Sequence, residues 1–128
     1  MRFSVTLHEA PAILEIVYPA GFTAEDLEAY AVESRETMDR IRGPWACLVD
    51  ARDVSALGPE LLDQVVRLNA YALEHGMRAS ARLISTRPGA LEGARSARGA
   101  TGYAVTIKTF TDRDPALAWL RTQLARAR

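Results

Sequence analysis

The stretch Trp45 to Leu73, WACLVDARDVSALGPELLDQVVRLNAYAL, constrains the fold more than any other. A continuous apolar run from Trp45 to Val49 ends on Asp50, a polar turn covers Ala51 to Ser55, and at Gly58-Pro59 the apolar spacing changes from strand-like to helical. A short apolar run bounded by a charged residue and a turn reads as a strand covered on both faces, the habit of parallel sheets. Strand, loop and helix in that order make half of a parallel βαβ unit. Ligands and partners of such folds gather at the carboxyl ends of the strands. The unit therefore indicates where function sits without declaring a chemistry.

The flanking segments complete the pattern. Phe3, Val5 and Leu7 alternate with Ser4 and Thr6, and after Ala10-Pro11 a second run, Ile13 to Tyr18, completes a predicted β-hairpin. Thr23 followed by Asp26 is an N-cap with an acid in the first turn, and Leu27, Tyr30, Ala31, Ser34, Met38 and Ile41 then fall on one helical face. Gly43-Pro44 ends that helix. The helix from Pro59 carries Leu61, Leu62, Val65, Val66, Leu68, Ala72 and Leu73, a broader apolar stripe than one packing face requires, which predicts contact with a partner. Gly76 supplies its C-cap, and Ala79 to Ser85 is the next strand. Pro88 opens a helix poor in large apolar anchors, Tyr103 to Phe110 is an edge strand, and a last helix starts at Pro115 and buries Leu117, Trp119 or Leu120, and Leu124. The order is ββαβαβαβα, an α/β fold. Right-handed crossovers put helices on both faces of a mixed five-stranded sheet.

A chain of 128 residues suits one domain, residues 1–128, that buries about two-thirds of its unfolded surface without a staple. The lone Cys47 lies mid-strand and reads as packing. The N-terminus lacks a signal peptide's apolar block and no run is long enough to span a bilayer, so a cytoplasmic, soluble protein is expected. The net charge is zero but unevenly placed: residues 1–64 hold five Arg against twelve acids, residues 65–128 ten Arg and one Lys against four. Two oppositely charged halves suit attraction within the fold, between the subunits of a homodimer, or to an anionic partner.

Gly21-Phe22-Thr23-Ala24-Glu25-Asp26 leading into the first helix, Leu48-Val49-Asp50 in the central strand, and Phe110 followed by Ala116-Leu117-Ala118-Trp119-Leu120 carry a resemblance. In this order and spacing they resemble the STAS domain, the fold of bacterial anti-sigma-factor antagonists, and in particular its SpoIIAA-like branch of small stand-alone proteins. The resemblance implies a regulatory or interaction module that engages a protein through the loop after the central strand. In regulatory members that loop presents a phosphorylatable serine. Here Gly58-Pro59 stands at the matching place and Ser55 lies upstream, so the phosphosite does not carry over. The resemblance also allows a small hydrophobic ligand between helices and sheet.

Other chemistries find little support. Neither His8 nor His75 has a Cys, Asp or Glu at ligand spacing, so no metal site is expected. No Gly-x-Ser-x-Gly elbow supports a hydrolytic triad from Ser85, His75 and Asp50. Gly99-Ala100-Thr101-Gly102 lacks the phosphate-loop lysine and follows a helix instead of preceding one. Arg78, Arg82, Arg87, Arg95 and Arg98 have only Tyr103 beside them, too few aromatics for nucleic acid.

Two functional readings remain. The first is a non-enzymatic, cofactor-free module that binds a protein through Asp50, Arg52, Asp53, Ser55 and Glu60 and the stripe Leu61, Val65 and Leu68. The second is a carrier or weak enzyme that uses a pocket at the strand ends, where Asp50, Arg52 and Asp53 meet Ser85 and Arg87 and an anionic group finds helix N-termini. Local pairing of Asp50 and Asp53 with Arg52 or Arg87 explains the same residues without any ligand.

Overall fold

The computed structural model describes residues 3–9, 11–54, 59–85 and 106–126. Strands β1 (Ser4–His8) and β2 (Ile13–Val17) pair antiparallel as the alternation predicts, with Thr6 opposite Glu15. Strands β3 (Trp45–Asp50), β4 (Met77–Leu83) and β5 (Thr106–Phe110) follow β2 in parallel, giving the order β1-β2-β3-β4-β5. The mixed five-stranded sheet with helices on both faces is the α/β architecture expected from the sequence. The helix expected after Pro88 and residues 103–105 lie outside the described residues.

Helix α1 (Ala24–Arg40) begins in a capping box: Thr23 Oγ1 accepts from Asp26 N at 3.1 Å while Asp26 Oδ2 accepts from Thr23 N at 2.9 Å. Ile41 caps its other end, and Gly43 at φ 78° turns the chain toward β3. Helix α2 (Pro59–Glu74) ends before Gly76, whose φ of 99° is a conformation that glycine adopts freely. A Cβ there would stand 3.4 Å from Gly43 O and 3.5 Å from the Trp45 indole. Trp45 is fully buried and donates through Nε1 to His75 O at 2.8 Å, so both glycines and the indole form one joint at the amino end of the central strand.

Strand β4 begins and ends two residues earlier than the expected Ala79 to Ser85, with a bulge where Trp45 faces Met77 and Ala46 faces Ala79. The alanine-rich run offered no periodicity from which to read that extra residue. The bulge changes which residues face which side. Met77 joins the core under α1 and α2, whereas Ala79, Ala81 and Leu83 face helix α3 (Arg113–Arg126). Ser80 and Arg82 are thereby turned toward the α1–α2 side, both buried.

The two faces are built differently. Under α1 and α2 lie Leu14, Ile16, Tyr18, Leu27, Tyr30, Met38, Trp45, Cys47, Val65, Leu68 and Ile107. Under α3 the sheet offers Ile13, Ala46, Leu48, Ala79, Ala81 and Leu83 to Ala116, Leu117, Leu120 and Leu124. The expected alternative for α3 resolves in favour of Leu120, which is fully buried, while Trp119 packs from the margin on Phe110 with ring centroids 5.8 Å apart.

Candidate functional site

The last residues of β2, β3, β4 and β5 are joined beyond the strands by backbone bonds. Tyr18 N donates to Asp50 O, Ala51 N to Leu83 O and Ile84 N to Phe110 O, each at 2.9 Å. This lacing fixes a rim at the carboxyl ends, on which Asp50, Arg52 and Asp53 sit as the sequence predicts and Ser85 ends two residues beyond β4. Asp50 and Arg52 form a forked pair: Arg52 Nη2 donates to Oδ2 at 2.7 Å and Nε to Oδ1 at 3.0 Å, with Arg52 N on Oδ1 at 3.2 Å. Partial burial acts to raise the Asp50 pKa, and the Arg52 bonds outweigh it and hold the carboxyl below its ordinary value.

Beside this pair stands a second one that sequence reasoning missed. Arg113, the first residue of α3, donates through Nε to Glu15 Oε2 at 2.9 Å and through Nη2 to Oε1 at 2.8 Å, and His8 Nε2 lies 2.8 Å from the same Oε1. The Arg113 bonds, opposed by burial and helped by His8, hold the Glu15 carboxyl down at about 2. The only signal in the sequence was a lone acid, Glu15, inside an apolar strand. Its partner lies 98 residues on.

Both guanidiniums are thus engaged by carboxylates. Asp53, Asp112 and Asp114 add further negative charge around them, and all three are exposed. The described charges of the rim sum to net acid. A free anion there must displace Asp50 from Arg52 or Glu15 from Arg113, which weakens the case for an anion site at this rim. Ser55 and Arg87, also expected in the site, lie outside the described residues. Among the described residues no three His, Cys, Asp or Glu side chains converge as a metal site would require.

The sheet divides the remaining predicted residues from Asp50. Leu48 belongs to the α3-side core, and Asp50, two residues further along β3, points to that side too. Val65 and Leu68 are buried on the opposite side, Leu61 is partly buried against the same core, and Glu60 is exposed. The breadth of the α2 stripe therefore has a cause within the monomer: α2 packs on the sheet and also along α1. Val65 and Leu68 offer no open surface.

What remains accessible on this side is the groove between α1 and α2. Near the C-terminal ends it is closed by polar contacts: Tyr71 Oη donates to Asp39 Oδ1 at 2.6 Å, Arg35 lies over the Tyr71 ring at 5.8 Å, and His75 stacks on Tyr71 with centroids 3.9 Å apart. Val32, seven residues before Asp39, falls on the same stripe of α1. Gln64, seven before Tyr71, falls on the same stripe of α2. Two turns toward the rim, then, Val32 and Gln64 stand on the facing sides of the groove. Val32 is 46% exposed, the one exposed large hydrophobic among the described residues, and Gln64 Oε1 is buried with no hydrogen-bond partner among them. Helical periodicity alone did not flag either residue.

Beneath the groove the interior is polar in places but not reactive. Burial pushes the Cys47 thiol up to about 12, so it carries no thiolate at neutral pH. Burial likewise raises Tyr18 to about 12 and Tyr30 well above its usual value, and their hydroxyls touch at 3.5 Å. Both are core groups.

No family model matches the sequence, and no curated protein matches it. Solved structures do. An uncharacterized protein of the DUF3478 family with a SpoIIAA-like fold, from Shewanella loihica, superposes with a TM-score of 0.69 at 19% identity over 92% of this chain and 91% of its own. An anti-sigma-factor antagonist (STAS) domain protein from Planctomyces limnophilus gives 0.62 at 20% identity over 92% and 97%.

Proposed function

From a chain with the SpoIIAA-like, or STAS, fold, we propose a non-enzymatic interaction module that binds a protein partner through the α1–α2 groove and the loop after β3. The observation that carries this reading is Val32, 46% exposed on the stripe of α1 that faces α2. A partner that lays an apolar side chain against Val32 removes that exposed surface from water. The surrounding acids Glu25, Glu28 and Glu60 favour a partner with basic flanks. One structural neighbour, an anti-sigma-factor antagonist (STAS) domain protein, agrees with a regulatory role.

The test is affinity capture with the purified chain and two variants. Val32→Glu abolishes retention of the partner, whereas Arg121→Glu, on the exposed face of α3, leaves it intact. Equal retention by Val32→Glu and the parent chain would sink the proposal. Native mass spectrometry of the purified protein distinguishes the carrier reading, because a stoichiometric small mass that survives desalting makes a ligand primary.

A further inference from the structure

The outer edge of β1 is a strand with one neighbour. Its partner is β2 alone among the described residues, so every second backbone N–H and C=O along Ser4–His8 points away from the sheet. Edge strands are ordinarily blunted by lysine, proline, bulges or inward charges. The other edge, β5, carries exposed Lys108. Residues 4–8, SVTLH, hold no proline, lysine, arginine or acid, and the β1–β2 ladder runs without a bulge. Phe3, Val5 and Leu7 are also only partly buried at this margin, although they pack on the α1-side core.

The sequence of β1 is complementary to itself. Paired antiparallel about a two-fold axis at Thr6, two copies set Val5 against Leu7 on the α1 side, and Thr6 against Thr6 and Ser4 against His8 on the other. Apolar residues meet apolar ones, threonine meets threonine, and no like charges oppose. We infer that β1 is the homodimer edge of this protein, joining two sheets into one of ten strands through the commonest oligomer symmetry. The occupant is a second copy, because the register sets each of the five residues against one of the same five. This edge is separate from the α1–α2 groove, so the inference stands or falls independently of the partner proposed above.

Sedimentation velocity of the full chain from about 1 to 200 µM tests the association. A concentration-dependent dimer is expected, and a monomer throughout overturns the inference. Thr6→Lys sets two cations together on the axis, while inside the monomer residue 6 is exposed to solvent, so the fold tolerates a long side chain there. The dimer is expected to weaken about tenfold or more, with an unchanged thermal melt at a concentration where the parent chain is monomeric. A dimer indifferent to Thr6→Lys overturns the assignment. Oxidation locates the register: Thr6→Cys forms a disulfide-linked dimer, whereas Ser4→Cys does not, because two copies of residue 4 stand about 13 Å apart in this pairing. Equal cross-linking of both variants overturns it as well. Buried Cys47 does not compete.

Discussion

The two faces of the sheet solve the same packing problem in opposite ways. On the α3 side the strands present Ala46, Ala79 and Ala81, each fully buried, and a single helix lies close on them through Ala116, Leu117, Leu120 and Leu124. On the other side two helices cover large residues, and the interface holds an aromatic cluster in which Phe3 stacks on Tyr30 at 4.5 Å and meets Tyr18 and Phe22 edge-on. Small residues allow close approach and leave no room for change. Large ones leave a wide seam that admits polar groups such as Ser34, Thr37, Ser80 and Arg82. The seam between α1 and α2 is also where Val32 stays exposed and where Gln64 Oε1 has no partner among the described residues. The small-residue face holds the rim's ion pairs, and the large-residue face carries the surface proposed for recognition.

If that contrast is right, truncation should hurt the large-residue face most. Trp45→Ala removes a fully buried indole and its bond to His75 O, and is expected to cost about 3–5 kcal/mol in denaturant unfolding. The small-residue face should fail by the opposite change. Ala81→Leu is expected to cost about 1–3 kcal/mol through overpacking under α3, and a neutral result would show that α3 sits less tightly than described.

The Glu15–Arg113 pair ties the hairpin to the start of α3 and gives the contrast a pH signature. The folded carboxyl titrates near 2 against an ordinary 4.5. Its contribution is therefore complete above pH 4.5 and is lost as pH falls toward 2. Glu15→Gln should lower stability by about 1–3 kcal/mol at neutral pH, with the gap to the parent chain closing in acid. A gap that persists at low pH would mean that the loss is steric. The smallest effect belongs to the α1 cap: Thr23→Ala is expected to cost about 1 kcal/mol, read as a lower melting temperature.

How much of this was legible before the structure follows from the range of each interaction. The hairpin, the α1 cap and the β3 run announce themselves within a few residues, because alternation, Thr23 with Asp26, and a continuous apolar stretch are local signals. The bulge in β4 was hidden, since Ala79, Ser80 and Ala81 carry no contrast in hydropathy. Asp50 and Arg52 were readable as a local pair, whereas the tie from Glu15 to Arg113 depends on α3 arriving beside β2. The α2 stripe shows the limit most clearly. Its width was visible, but a helix packed on both a sheet and a neighbouring helix has the same stripe as one that binds a partner, and only the burial of Val65 and Leu68 separates the two cases.

The joint of Gly43, Trp45 and Gly76 has a bearing on how such a chain tolerates change. Both left-handed turns and the one indole bond converge at the amino end of the central strand, so an inserted residue there displaces all three together. The carboxyl end is laced by single backbone bonds between neighbouring strands, each separable from the next. Grafted loops and lengthened segments should therefore be accepted at that end and rejected at the other. Diversification of a scaffold built this way is directed to one pole of the molecule.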